Sequence, residues 1–249
     1  EPVFKNLERA GTHFLRGQLS LIASGPGCGK SIFALTLAHK SRASCLYFSA
    51  DTDAITQLAR EICIATGWSW ARSMQAAMSD DIPAEVRKKL WDLPIRFEYN
   101  TSPTLDDIES TMESYVEVFG TFPELIVIDN IRDIQYDTEI PDDTIAKLDP
   151  LTKYLKDMAH GTQAHVMALH HVTGPYNDGD KPIPLSGLRG QPGALPELII
   201  TLFKTVDPGG GADILHASTV KFRGGRADAS GNTYVDLLFD GDHMTVTDL

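Results

Sequence analysis

The sequence runs to 249 residues, 42% hydrophobic and 22% charged, enough for one soluble α/β domain with a large core or at most two small ones. No apolar run approaches the ~20 residues that cross a bilayer, Glu1-Pro2-Val3-Phe4-Lys5 is no signal peptide, and a start at Glu rather than Met fits a fragment or a processed form. The net charge of −12 excludes a broad basic face, so any nucleic-acid contact must come from a few local cations; three irregularly spaced cysteines argue against a disulfide framework or a zinc site and suit a reducing cytoplasm.

Apolar runs of strand length alternate with helical patterns, as in a mostly parallel sheet covered by helices. Residues 19–23 read as a first buried strand and 31–40 as the helix after it. Residues 45–49 are a second strand and 54–66 a second helix. Pro83 suits the first position of a helix running to about Trp91. Residues 95–99 form a third strand, after which Thr104 caps a helix and Asp107, three residues on, completes a capping box. Residues 125–128 are continuously apolar and end in Asp129, which places them in the middle of the sheet. Residues 145–160 are helical with Gly161 as the stop, 165–169 are the next strand, and 174–184 are a Gly- and Pro-rich loop. Residues 198–203, 217–222 and 234–239 follow without helices between them, which predicts hairpins or an antiparallel extension of the sheet.

Between the first strand and its helix stands Ser24-Gly25-Pro26-Gly27-Cys28-Gly29-Lys30-Ser31. Gly25, Gly27 and Gly29 let the backbone approach phosphate oxygens, and their N–H groups with the positive helix end make an anion site. Lys30 reaches the β- and γ-phosphates of ATP, and the Ser31 hydroxyl is a ligand for magnesium (Mg²⁺). Ser24 stands where the pattern usually begins with Gly. Cys28 packs, points to solvent or, with a lowered thiol pKa at the helix N-terminus, acts as a redox brake on nucleotide binding.

Asp129 ends its strand where a second carboxylate holds Mg²⁺ through water. Asn130 follows in place of a Glu, so the general base must come from elsewhere. Asp51, just past the second strand, is the candidate to orient and deprotonate the attacking water, with Asp53 as understudy; the alternative for either is to cap the next helix. His170 and His171 follow the strand ending at Leu169, beside the Asp129 strand, where a polar side chain can touch the γ-phosphate and sense hydrolysis. Neighbouring strand residues face opposite ways, so the pair is a poor chelate; His171 is taken as sensor and His170 as structural or interfacial.

In order, Arg16-Gly17-Gln18-Leu19, the phosphate loop, Phe48-Ser49-Ala50-Asp51, Leu125-Ile126-Val127-Ile128-Asp129-Asn130, Ala168-Leu169-His170-His171, Leu185-Ser186-Gly187-Leu188-Arg189-Gly190 and Lys221-Phe222-Arg223-Gly224-Gly225 resemble the C-terminal motor domain of DnaB-type replicative helicases over essentially the whole chain. The resemblance implies a RecA-like P-loop NTPase domain over residues 1–249, a DNA helicase that hydrolyses ATP with Mg²⁺. It implies a homo-oligomer, a hexameric ring or open spiral around single-stranded DNA, in a bacterial cytoplasm, bacteriophage-encoded or not. ATP would lie between subunits, with Lys221 and Arg223 reaching into the neighbour's site, where such an Arg is worth roughly 10³–10⁵ in rate. Their alternate spacing puts both cations on one face; without the resemblance they read as solvated edge charges. The loops after Asn130 and His171 would line the channel, offering Arg132, Lys181, Arg189 and the Gly190 backbone to DNA, while Tyr176 either stacks on a base or anchors packing. The acidic Asp178-Gly179-Asp180 tip stands against DNA contact there. The chain departs from the family in having Asp51 where Glu is usual and His171 where Gln is usual, and the family's N-terminal, primase-binding helical domain is absent. The competing functions are a RecA- or RadA-like recombination ATPase that forms filaments on DNA, and a nucleotide-switched DNA-binding or loader module.

Overall fold

The structure, a computed structural model, describes residues 2–136, 145–192 and 194–249. In chain order its elements are α1 (Lys5–Arg9), β1 (Leu19–Ser24), α2 (Lys30–Ser41), β2 (Cys45–Ser49), α3 (Ala54–Thr66), α4 (Trp70–Ser79) and α5 (Ala84–Trp91). There follow β3 (Ile95–Glu98), α6 (Leu105–Phe119), β4 (Leu125–Asp129), α7 (Ile145–Thr162), β5 (His165–His171), β6 (Leu198–Thr205), β7 (Asp213–Phe222), β8 (Val235–Asp240) and β9 (Thr245–Asp248).

The strands form one nine-stranded sheet in the order β3-β2-β4-β5-β1-β6-β7-β8-β9. It is parallel from β3 to β6 and antiparallel from β6 to β9, so the late strands do extend the sheet as hairpins. Strands β1, β2 and β4 are buried at every residue, because helices cover both faces of the parallel half. On one face α2 packs Phe33, Leu35 and Leu37 against Tyr47 and Val127. On the other, Ile108 and Met112 of α6 and Leu151 and Leu155 of α7 cover Ile126 and Ile128.

Local chemistry sets several boundaries. Thr104 and Asp107 make the expected capping box of α6, and Gly67 and Gly120 end α3 and α6 in the left-handed region. Pro83 is the N-cap of α5 rather than its first helical residue. Gly161 does not stop α7, which runs on to Thr162; Gln163 takes the left-handed turn instead, with φ 57°. The chain also holds α1, α4 and β9, which the sequence reading does not place: α1 and β9 are only 5 and 4 residues long, and α4 is amphipathic but buries little. In α4 only Ser73 and Ala76 are buried, and in β9 only Val246. No helix among the described residues is long and apolar enough to cross a membrane.

The register decides where chemistry gathers. Ser24 pairs with His171, and Ser49 pairs with Asp129, so the ends of β1, β2, β4 and β5 share one edge of the sheet. Phe222, at the end of antiparallel β7, pairs with Leu198 at the start of β6, on the opposite edge.

Candidate active site

Gly29 is the N-cap of α2, with φ 94°, which an L side chain rarely adopts. A Cβ there would also meet the Phe239 ring at 2.9 Å, and one at Gly25 would meet the Asn177 carbonyl oxygen at 2.4 Å. The loop is thus seated between β8 and the segment after β5, with no space for larger residues. Cys28 is 3% exposed, its Sγ lying against Gly179. Burial pushes its thiol pKa up, offset only in part by Lys204 and Lys30. That is the reverse of what a redox brake requires, and Cys28 is a packing residue behind the loop.

Lys30 is 8% exposed at the start of α2, and Asp129 is 2% exposed at the end of β4. Asp129 Oδ2 accepts a hydrogen bond from the Tyr47 hydroxyl at 3.0 Å. Oδ1 has no hydrogen-bond partner among the described residues, although the Ser31 hydroxyl faces the carboxylate. Burial raises the Asp129 pKa; Ser31, Tyr47 and Lys30 draw it back, and nearby Asp51 raises it further. A buried carboxylate oxygen left unsatisfied beside a hydroxyl, both hard oxygen donors, suits a hydrated divalent cation. Ser31 and Asp129 would hold Mg²⁺, which when bound supplies charge neutralisation at phosphate oxygens.

Tyr47 was not singled out by the sequence motifs. Its only signal was a Tyr in a fully buried strand, whose hydroxyl must find a partner. The expected result of Tyr47→Phe is a fall in kcat of about 10–100-fold, from the 1.5–3 kcal/mol typical of a hydrogen bond to a charged group. The hydroxyl lowers the Asp129 pKa, so its loss should also move the acid limb of the pH–rate profile upward. An unmoved limb with normal kcat would show that Tyr47 only fills space.

Asp53 caps α3: Oδ1 accepts from the Ile55 and Thr56 amides at 3.0 Å, and Oδ2 from the Thr56 hydroxyl at 2.6 Å. Asp51 takes no part in that cap; it is exposed and close enough to Asp129 to act on its carboxyl. Three bonds hold its turn: the Ser49 hydroxyl donates to the Thr52 carbonyl at 2.9 Å, the Ala50 amide donates to the Asp129 carbonyl at 2.9 Å, and Arg60 Nη1 donates to Thr52 Oγ1 at 3.1 Å.

His170 is fully buried, and its Nε2–H donates to the Arg189 carbonyl at 2.7 Å. His171 is half-buried with Nε2 3.4 Å from the Asn130 amide nitrogen. Burial, then Lys30 and Arg132, hold the His171 pKa near 4, so the imidazole is neutral at pH 7. Arg132 lies in the 3-10 turn Ile131–Asp133, and the Arg189 amide donates to the His171 carbonyl at 3.1 Å. Arg132 and Arg189 therefore gather beside His171, and the Arg189 backbone is pinned on both sides rather than carried on a flexible loop; Gly190 follows with φ 67°. Lys181 instead lies 5.5 Å from the Tyr176 ring centroid, and Tyr176 packs on the core as an anchor. The loop after Asn130 continues into residues 137–144, outside the described residues.

Lys221 Nζ and Arg223 Nη2 both donate to the Ala194 carbonyl, at 2.9 and 3.0 Å, so the two cations do share one face. They are at the wrong edge to serve their own phosphate loop. Leu198 neighbours Phe222 and Leu202 neighbours Ser24, a span of about 14 Å along β6 before the loop is reached.

The family model described as DnaB-like helicase C-terminal domain matches residues 1–191. The Gene 65 protein of Mycobacterium phage L5 is 49% identical over 247 residues, covering 99% of this chain and 92% of that protein. Among solved structures, an ATPase domain has a TM-score of 0.82 at 18% identity, covering all of this chain and 90% of that one. A DnaB-like replicative helicase, solved for its interactions with primase, has a TM-score of 0.81 at 18% identity; the match covers all of this chain but 61% of that one.

Proposed function

This chain belongs to the DnaB-like helicase C-terminal domain family, and on that footing we propose that residues 1–249 form an ATP-hydrolysing motor that translocates on single-stranded DNA and unwinds duplex in replication. The observation that carries the proposal is the set of buried Lys30 and Asp129 with half-buried Ser31, Asp129 Oδ1 being unsatisfied and Asp51 alongside. In the proposed mechanism the loop N–H groups and Lys30 bind and orient the triphosphate. Asp51 orients the attacking water and takes its proton. His171, neutral, hydrogen-bonds toward the γ-phosphate through one nitrogen and toward Asn130 through the other. Loss of that phosphate contact would be passed through the Arg132 and Arg189 backbone to the DNA-facing loops. Lys221 and Arg223 act on the site of a neighbouring subunit in a homo-oligomeric ring or spiral, because their own loop is out of reach.

The test is ATP hydrolysis with and without single-stranded DNA across a salt series. Hydrolysis is expected to rise with DNA of any sequence and the effect to fade with salt, since neutralised phosphates release counterions. Nucleotide binding with negligible DNA-stimulated turnover would replace the motor by a nucleotide-switched loader. Strand exchange without directional unwinding would replace it by a recombination ATPase.

A further inference from the structure

The turn that carries Asp51 joins β2, which ends at Ser49, to α3, which begins at Ala54. An Asp side chain is one carbon shorter than a Glu, so the backbone of this turn decides whether Asp51 meets an attacking water. A misplacement of about 1 Å at such a group can cost on the order of 10²-fold in rate. The two ends of the turn are tied down close to home: the Ala50 amide donates to the Asp129 carbonyl, and Asp53 caps α3. Between them stands Thr52, whose carbonyl accepts from the Ser49 hydroxyl at 2.9 Å and whose Oγ1 accepts from Arg60 Nη1 at 3.1 Å. Apart from adjacent Ser49, Arg60 is the one side chain that hydrogen-bonds to residues 50–52 among the described residues.

Arg60 lies in the second half of α3, and its side chain runs back toward the helix N-terminus, as long helical side chains do. Nη1 also donates to Oε1 of Gln57 at 3.3 Å, and Gln57 is 1% exposed, so the guanidinium is braced from the core side. Arg60 itself is half-buried, and its Nε–H is buried with no hydrogen-bond partner among the described residues. A half-buried charge with an orphaned donor costs more than an apolar side chain of the same length, so packing alone does not account for an Arg here. Its charge is felt at Tyr47: burial and Asp129 push the Tyr47 pKa up, and Arg60 draws it back. The guanidinium therefore stands behind the site, bonded to the Asp51 turn and near the Tyr47–Asp129 pair. We propose that Arg60 is a positioning residue for hydrolysis: acting through Thr52, it sets where Asp51 stands and so where the attacking water is held, a role that rests on Asp51 being the base. The planar fork of an Arg loses less freedom in such a bond than a Lys ammonium would.

The test reads ATP hydrolysis, nucleotide affinity and the thermal midpoint in a small set of variants. Arg60→Met removes the donors but keeps side-chain length and helix propensity. Thr52→Val removes the acceptor at nearly constant shape. Each should lower kcat about tenfold and leave KM and nucleotide affinity within about twofold, as for an interaction that matters only in the transition state. The double variant should be no slower than the slower single, because both changes break one bond. Thr52→Ser and Arg60→Lys, which can remake that bond, should recover turnover. Placed on Asp51→Ala, Arg60→Met should leave the residual turnover unchanged, since no base is left to position. If Asp51→Ala alone keeps near wild-type turnover, Asp51 is not the base and the role of Arg60 falls with it. If Asp51→Ala is nearly inactive but Arg60→Met has wild-type kcat, Arg60 alone is overturned. So it is if Arg60→Met costs as much on Asp51→Ala as on wild type, which would mean that Arg60 acts through Tyr47 and Asp129. A fall in affinity and thermal midpoint that Arg60→Lys does not restore would reduce Arg60 to a structural residue of α3.

Discussion

Lys30→Ala is expected to lower ATP hydrolysis by about 10²–10³-fold, the usual cost of removing one strong donor from a preorganised anion site. Lys30 begins α2 and is nearly buried, and Ala keeps the helix, so the loop should retain its backbone. What is lost is the side-chain cation that Asp129 feels at the phosphate loop. Without it the Asp129 carboxyl pKa should climb further above its ordinary value, since Lys30 is one of the groups holding it down. Both triphosphate grip and cation binding therefore suffer together. The measurement is steady-state hydrolysis plus nucleotide affinity, with the thermal midpoint as the folding control. A folded variant with turnover within a few-fold of wild type would remove the basis for the proposed site.

Arg223→Ala is expected to cost roughly 10³–10⁵ in turnover while sparing nucleotide affinity, as for an arginine acting on transition-state charge. The sharper readout is mixing. Arg223→Ala and Asp51→Ala subunits should each be nearly inactive alone, for different reasons. In random mixed assemblies about one interface in four joins an intact Asp51 to an intact Arg223 from the next subunit, and activity should return to that extent. If both groups served one chain's own site, no mixture would regain anything. The placement favours recovery: Arg223 leaves β7 beside Glu197, to whose carbonyl its amide donates at 2.8 Å, while Ser24 lies beside Leu202 further along β6. Flat inactivity at every mixing ratio would rule out the intersubunit role of Arg223.

Much of this protein was legible from its sequence because the signals are local. The Gly-Lys-Ser ending needs a strand before it and a helix after it, and continuous apolar runs can only be central strands; the α6 capping box is settled within four residues. The strand ends carrying Asp51, Asp129 and His171 follow from the same reading. Elements that bury little were not read, as with amphipathic α4 and four-residue β9, and a glycine near a helix end proved no stop at Gly161 because Gln163 takes the turn.

What only the tertiary structure decided are the matters that depend on distance between remote segments. Tyr47 became a partner of Asp129 because β2 and β4 are neighbours. Asp53 was separated from Asp51 by where its lone pairs went. Cys28 lost its case for reactivity because Gly179 closes over it. Lys221 and Arg223 were placed at the far edge by the antiparallel turn of β7. A segment's own residues determine which groups it carries and which backbone it prefers, since those depend on neighbours a few residues away. Which groups meet, and in what dielectric, depends on strand order and burial, which are set by the packing of the whole chain.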